Sequence, residues 1–470
     1  MNLLNKYLPY FLITCIIIQR NEITSQNVLS FDQYIDIVMD HHPLALSSKL
    51  QNDYSDANLM MAKGGFDPKL GFNLDRKRFE DKTYFNVLST GITIPTWYGI
   101  ELKSYYDRIN GEFVNESDKL PNNGLFSMGI SFPLARGLVL DERRFELKRA
   151  QIFTESTYAM QQLMLNDLYF DASSAYLEWQ QAYALLEIAR EGLEFADIRF
   201  QSTRSLFQLG DKPAIDTLEI FILRNIRTQE LIDAELNFSN ARFALNNFLW
   251  IDGVTPLELN LNTFPESVQK DRFLDNVNLI NIKNDWIDSH PDINLTLLKI
   301  SELQLENRLN RENLKPDIRL NYNPLLTASS SYLPMAYNPN DFKIGASFYY
   351  PLFLRKERGK VNFTKAKIYE SQYNLSTKRQ ELTNKFNAYL NNSNSLNLQL
   401  DIISQNVKDY NTMLVAENRL FELGESSIFL VNTREVSFLQ SKIKELETKI
   451  KLIKNRLTAL YIANQLVNRK

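Results

Sequence analysis

Apolar residues recur at three-to-four-residue spacing through long proline-free stretches, as in Leu439, Ile443, Leu446, Ile450, Ile453, Leu457 and Leu460. That spacing lines one face of an α-helix, and the Lys and Glu around it complete a coiled-coil-like pattern. From Leu138 to Asp211 there is no proline, and the only glycines are Gly192 and Gly210. From Leu352 to Lys470 there is again no proline, and the only glycines are Gly359 and Gly424. Such stretches permit very long helices. They predict two helical hairpins, at about 140–250 and 358–465. A helix over 140–208 would be roughly 100 Å long at about 1.5 Å per residue.

Between these stretches the pattern changes to noisy alternation, as in Tyr84, Asn86 and Leu88 against Phe85, Val87 and Ser89. Such alternation reads as strand. Leu70–Arg78, Tyr84–Pro95, Gly99–Ile109 and Leu125–Pro133 are expected strands of the first cluster, about 69–133. Asp317–Leu325 and Phe342–Pro351 form the second, about 317–352, joined by the polar, proline-marked Thr327–Asn340. Aromatics crowd both clusters: Trp97, Tyr98, Tyr105, Tyr106, Phe126, Phe132, Tyr322, Tyr332, Phe348, Tyr349 and Tyr350. Aromatic girdles mark the rims of membrane barrels.

The chain repeats itself. Asp40-His41-His42-Pro43 and Asp288-Ser289-His290-Pro291 each open an amphipathic segment, ending at Pro68 and Pro316 with equal spacing. Ile130-Ser131-Phe132-Pro133-Leu134 matches Phe348-Tyr349-Tyr350-Pro351-Leu352, and Leu206–Asp211 matches Leu420–Glu425. Arg242 and Arg456 then fall in register. The repeat places a first unit at 27–252, a connecting segment at 253–279 and a second unit at 280–470.

Residues 1–26 read as a secretory signal: Lys6, an apolar run from Tyr7 to Ile18, and Ser25 before Gln26. The run is shorter than the ~20 residues a helical span needs. Cys15 lies in a sequence loosely like a lipoprotein signal, although three isoleucines follow it. No later stretch has 18 consecutive apolar residues. A secreted chain of this kind is periplasmic, extracellular, or a β-barrel in an outer membrane. One chain supplies four to six membrane-length strands, and a closed bacterial barrel needs at least about eight, so several copies are expected to share one.

Composition narrows the chemistry. The 53 basic and 56 acidic side chains give a formal charge of −3, which argues against nucleic acid as a partner. One cysteine and three histidines exclude a disulfide framework and a cysteine-ligated zinc site. Fifteen glycines in 470 residues speak against phosphate-cradling loops, and Gly64-Gly65 and Gly91 fit no such pattern. His42 and His290 repeat at equivalent places and admit reading as a metal pair, but capping or packing is expected. His41 has no partner at useful spacing except Asp40. Neither enzymatic activity nor a cofactor is expected.

The duplicated order resembles the TolC-like outer-membrane efflux proteins over about residues 28–465, most specifically at Leu206–Asp216 and Leu420–Leu430. The resemblance implies a mostly α, α+β fold: long coiled-coil helices forming a periplasmic conduit, plus strands contributed to a shared trimeric barrel in the outer membrane. It implies a homotrimer that docks a periplasmic adaptor and an inner-membrane transporter. It assigns adaptor contact to the Leu209-Gly210-Asp211 and Leu423-Gly424-Glu425 turns. Asp216 and Phe421 take positions near a gate, with Thr433 and Arg434 beside them. Where family members often carry an acidic pattern, this chain has Leu430-Val431-Asn432-Thr433-Arg434. Arg227 and Arg434 could pair with carboxylates near such a gate, although solvated surface is the first expectation for both. If every first-cluster strand joins the barrel, a trimer has eighteen strands; if Trp97–Gly124 loops out, it has the family's usual twelve. The rival reading is a secreted or periplasmic coiled-coil scaffold without channel activity.

Overall fold

A computed structural model describes residues 27–270, 282, 284–327 and 336–467. The signal segment with Cys15, Tyr332 and most of the later part of the 253–279 connection lie outside them. The chain divides into two compact units, each drawing on both sequence halves. One comprises Met1–Pro43, Tyr169–Val277 and Asn391–Leu457; the other comprises Leu44–Leu168, Asn278–Leu390 and Thr458–Lys470.

In chain order the first elements are β1 (Asn27–Leu29), α1 (Phe31–His41) and α2 (Pro43–Gly64). Four strands follow: β2 (Lys69–Phe79), β3 (Lys82–Pro95), β4 (Glu101–Asn110) and β5 (Leu125–Pro133). Then come α3 (Glu142–Gln208), α4 (Ala214–Asn246), β6 (Trp250–Ile251), β7 (Thr255–Pro256) and β8 (Thr263–Pro265). The second half adds α5 (Pro291–Glu312), β9 (Asp317–Thr327), β10 (Ala336–Tyr349), α6 (Arg355–Glu422) and α7 (Ile428–Ile462). Helices α3 and α6 run 67 and 68 residues, far beyond the usual three to four turns. Helix α3 buries an apolar stripe that includes Leu168, Tyr176, Trp179 and Leu186, whereas α6 buries only the scattered Val361, Phe386, Leu396 and Leu414.

The first unit is built on aromatics. Phe31, Tyr34, Tyr176 and Trp179 are buried, and the Tyr34 and Tyr176 rings lie 5.4 Å apart. The Tyr176 hydroxyl donates to the Leu29 carbonyl at 2.8 Å, tying α3 to β1, which pairs in parallel with β8. Ser30 caps α1 in a capping box with Gln33.

The second unit holds a six-stranded sheet in the order β10-β9-β5-β4-β3-β2, every pairing antiparallel. Trp97–Gly124 does not loop out: β4 hydrogen-bonds to both β3 and β5. Nor is Thr327–Asn340 loop throughout, because β10 begins at Ala336. The register shift between Tyr337 and Phe342 spans Pro339, and proline is tolerated in strands at such irregularities. Helices α5 and α6 are joined by buried Asn307, which donates to the Val361 carbonyl at 3.0 Å, and Asn310, which donates to Thr364 Oγ1 at 2.9 Å.

Candidate functional site

Register decides which side chains share a face of the sheet, because directly opposed residues point the same way. Leu70, Phe72 and Leu74 lie opposite Ile92, Thr90 and Leu88. Ile94 lies opposite Leu102, Leu102 opposite Ile130, Ile130 opposite Tyr322, and Tyr322 opposite Ile344. These positions make one apolar face across all six strands. It is uncovered: Leu70 is 80%, Phe72 68% and Ile344 60% exposed.

The other face is polar. Asn73 lies opposite Ser89, and Ser89 opposite Asp107, whose carboxylate accepts from the Ser89 hydroxyl at 2.5 Å. Asn321 lies opposite Ser131 and Gly345, and Lys343 opposite Asn323. Gly91 sits on this face beneath the Tyr105 ring; a Cβ there would come within 2.2 Å of that ring, so an aromatic covers the backbone that glycine leaves open. Aromatics also mark both ends of the sheet. Phe79, Tyr84 and Phe113 cluster at the hairpin end with centroids 6.1 and 4.6 Å apart. Trp97, Tyr98, Tyr349 and Tyr350 are exposed at the helix-connected end. There Arg143 Nη1 pairs with Glu101 at 3.1 Å, and Arg144 Nε donates to Asp141 at 3.0 Å.

In the first unit the two glycine turns share one geometry. Asp211 N donates to the Leu206 carbonyl at 2.9 Å and Gly210 N to Phe207 at 3.0 Å; Glu425 N donates to Leu420 at 2.9 Å and Gly424 N to Phe421 at 3.0 Å. Gly210 and Gly424 have φ of +84° and +77°. Both are left-handed helix caps, a conformation natural to glycine. Leu209 and Leu423 beside them are exposed. Lys212 Nζ lies 5.4 Å from the Phe421 ring centroid, so the two turns are neighbours. No atom lies within 4 Å of a Cβ built at either glycine, so alanine there meets only backbone strain. Gly210→Ala and Gly424→Ala are each expected to cost about 1–2 kcal/mol in chemical unfolding.

The gate candidates take distinct roles. Asp216 lies in the first turn of α4, where a carboxylate suits the positive helix end. Phe421 packs on the Leu414, Val431, Phe438 and Leu439 cluster. The Thr433 hydroxyl donates to the Phe429 carbonyl at 2.8 Å, which spends it on its own helix. Arg434 is not simply solvated: its Nε lies 3.5 Å from Glu417 Oε2.

Arg227 overturns the surface expectation more fully. It is buried, and its Nη1 donates to Glu230 at 2.7 Å. Its Nη2 lies 4.0 Å from Glu435, a carboxylate 1% exposed. Arg199 Nη1 reaches Glu435 Oε2 at 2.7 Å and donates to Asn432 Oδ1 at 2.6 Å. One buried acid thus joins α3, α4 and α7. Burial pushes the Glu435 carboxyl up, opposed by Arg199 and Arg227. Gly192 makes the room: a Cβ there would meet Leu439 at 3.2 Å and Arg227 at 3.5 Å. The 3.6-residue pattern carried one signal of this site, since Glu435 follows Val431 on the buried face of α7.

The histidines are structural. His42 caps α1 and stacks on Phe248 at 5.9 Å. His290 caps α5: Nδ1 accepts from Asp292 N at 3.2 Å, and Nε2 lies 3.1 Å from the Ile462 carbonyl. His41 pairs not with Asp40 but with Asp252, at 3.8 Å. Among the described residues no cluster of three His, Cys, Asp or Glu side chains could hold a metal. Burial lowers the His290 pKa, opposed by Asp292 and the Ile462 carbonyl. A depressed folded value means the neutral ring's contribution is whole above about pH 6.5 and is lost as pH falls below that, through the lower folded value. His290→Asn, which keeps an N-cap acceptor, is expected to unfold with a flatter pH dependence below about pH 6.5.

Residues 284–461 match the family model described as outer membrane efflux protein. That segment, less than half of the chain, is similar to this family. No curated protein matches the chain. The fold of the whole chain is that of solved outer-membrane channels. The Campylobacter jejuni CmeC channel shares 15% identity at TM-score 0.63, over 92% of this chain and 85% of that one. Vibrio cholerae VceC shares 12% at 0.63, over 92% and 95%. The open state of Neisseria gonorrhoeae MtrE shares 15% at 0.66, over 95% and 93%. The matched segment contains α5, β9, β10, α6 and nearly all of α7; the fold likeness extends over the first repeat as well. Among the described residues no helix is long and apolar enough to cross a membrane.

Proposed function

We propose that this protein is the outer-membrane exit duct of a tripartite efflux or type I secretion assembly, a passive conduit without enzymatic activity. The observation that carries the reading is the sheet itself: six membrane-length strands, apolar on one face and polar on the other. Lipid would take the apolar face and water the polar one, as in outer-membrane barrels, with the aromatics of both ends at the two interfaces.

The edges of the sheet make the oligomer a physical requirement of that reading. Among the described residues strands β2 and β10 each have one unpaired side, and in hydrocarbon every unsatisfied backbone group costs several kcal/mol. Because the sheet has an even number of antiparallel strands, its two edge strands run in opposite directions. The β2 edge of one copy can therefore continue antiparallel onto the β10 edge of the next. Three copies close a barrel of eighteen strands. Barrel width grows roughly linearly with strand number, so this bore is about one and a half times as wide as a twelve-stranded one.

The long helices extend the duct into the periplasm. A periplasmic adaptor engages the Leu209–Asp211 and Leu423–Glu425 turns, and an inner-membrane transporter supplies the energy. Adaptor binding favours the dilated state of the tip, near Asp216, Phe421, Thr433 and Arg434, by binding it more tightly than the shut one. Cysteine at Leu209 or Leu423 is expected to cross-link to the adaptor in intact cells, and cysteine at Val254 is not. Recovery of the native chain from the soluble pool as a monomer would return the reading to a coiled-coil scaffold.

A further inference from the structure

We propose that the start of α6 binds anionic phospholipid headgroups on the helix side of the membrane. The inference rests on the outer-membrane reading above. Helix α6 opens Arg355-Lys356-Glu357-Arg358-Gly359-Lys360. Four cations in the first two turns face the positive end of the helix macrodipole, where acids are favoured. All four are exposed, and none is ion-paired with a carboxylate among the described residues. The matching helix start in the first repeat is different. At α3, Arg143 and Arg144 are each held by Asp141, and Arg143 also by Glu101. Each start carries one acid in its first turn, Glu142 or Glu357, but the cations are paired at one repeat and bare at the other, which points to an external anion.

Position identifies that anion. The cations follow directly on β10, whose Ile344 and Phe348 belong to the apolar face. Between strand and helix, Leu352 is 87% and Phe353 71% exposed, and the Arg355 guanidinium lies 5.2 Å from the Phe353 ring centroid. Exposed apolar and aromatic groups followed by lysine and arginine form the sequence of a lipid–water boundary. Further along α6, Lys365 and Tyr369 with Arg308 and Arg311 of α5 line a separate open groove of about 600 Å³, which the four cations do not enter. A phosphodiester headgroup suits the four cations, with its acyl chains beside Leu352 and Phe353.

The test uses the full mature chain, extracted from membranes and placed in nanodiscs of phosphatidylcholine doped with phosphatidylglycerol. Lipid retained after detergent washing is measured by mass spectrometry, for the wild type and for R355Q/K356Q/R358Q/K360Q. The wild type is expected to enrich phosphatidylglycerol on the order of tenfold over bulk, and molar salt is expected to abolish the enrichment. The variant is expected to insert and assemble normally without enrichment, and R355K/R358K to retain it. Equal enrichment in wild type and the glutamine variant overturns the proposal. So does loss of assembly in that variant, which would make the cluster a contact between copies. Displacement by millimolar inorganic phosphate would reassign it to a free anion. Failure of the wild type to reach the outer membrane would instead defeat the duct reading.

Discussion

Lysine at Phe72 or Ile344 is expected to empty the outer-membrane fraction of this protein, whereas lysine at the adjacent Asn73 or Gly345 is expected to leave it populated. Each pair sits in the same strand one residue apart, so strand propensity and local sequence are nearly shared. Only the face differs: Phe72 and Ile344 lie in the apolar rows, Asn73 and Gly345 in the polar ones. A lysine on the lipid side near the bilayer midplane costs about 2–4 kcal/mol, and each assembly carries it in every copy. Inside a water-filled bore the same charge keeps its hydration. Membrane fractionation of the four variants reads the difference directly. Equal recovery of all four would mean that the apolar face meets something other than lipid.

The second large effect is expected at Glu435. Glu435→Ala removes the acid that faces Arg199 at 2.7 Å and Arg227 at 4.0 Å; it leaves Arg199 without a carboxylate and Arg227 with only the half-exposed Glu230. Removing one partner of a buried pair typically costs about 3–5 kcal/mol, a large share of the ~5–15 kcal/mol that holds a domain folded. Glu435→Gln should cost less, because it keeps the side chain's shape and a polar oxygen beside Arg199. The sign of the pH effect also follows. Burial raises the folded-state value of this carboxyl above its unfolded one. Its contribution is therefore whole at low pH and is lost as pH rises through the raised value. Acid alone should not loosen this point. Equilibrium denaturation of wild type and both variants across pH measures all three statements. An unchanged midpoint for Glu435→Ala would show that the three helices do not depend on the buried acid.

The strands were legible because two-residue alternation and proline or glycine boundaries act locally. Leu125–Pro133 was read to its limits, and Tyr84–Pro95 to within two residues. The glycine turns were legible for the same reason, since a left-handed cap announces itself in one residue. Pairing was not legible. Nothing in Leu125–Pro133 states that it lies between β4 and β9, because a partner distant in sequence leaves no local trace. The Arg199–Glu435–Arg227 group was hidden similarly. On a long helix, Glu and Arg ordinarily mean solvated surface, and only the meeting of three helices makes these three a buried set. The start of β10 was missed because Pro339 reads as a strand breaker, yet it falls within a register irregularity. The bare cations of α6 were visible as letters, but their lack of partners required the contrast with Asp141 and Glu101.

A density map of the particle extracted from outer membranes tests the shared barrel most directly. Three chains with six strands each in one closed cylinder, β2 of every copy bonded to β10 of the next, is the expected result. A single chain per particle, or a β2 edge left open to lipid, would contradict it.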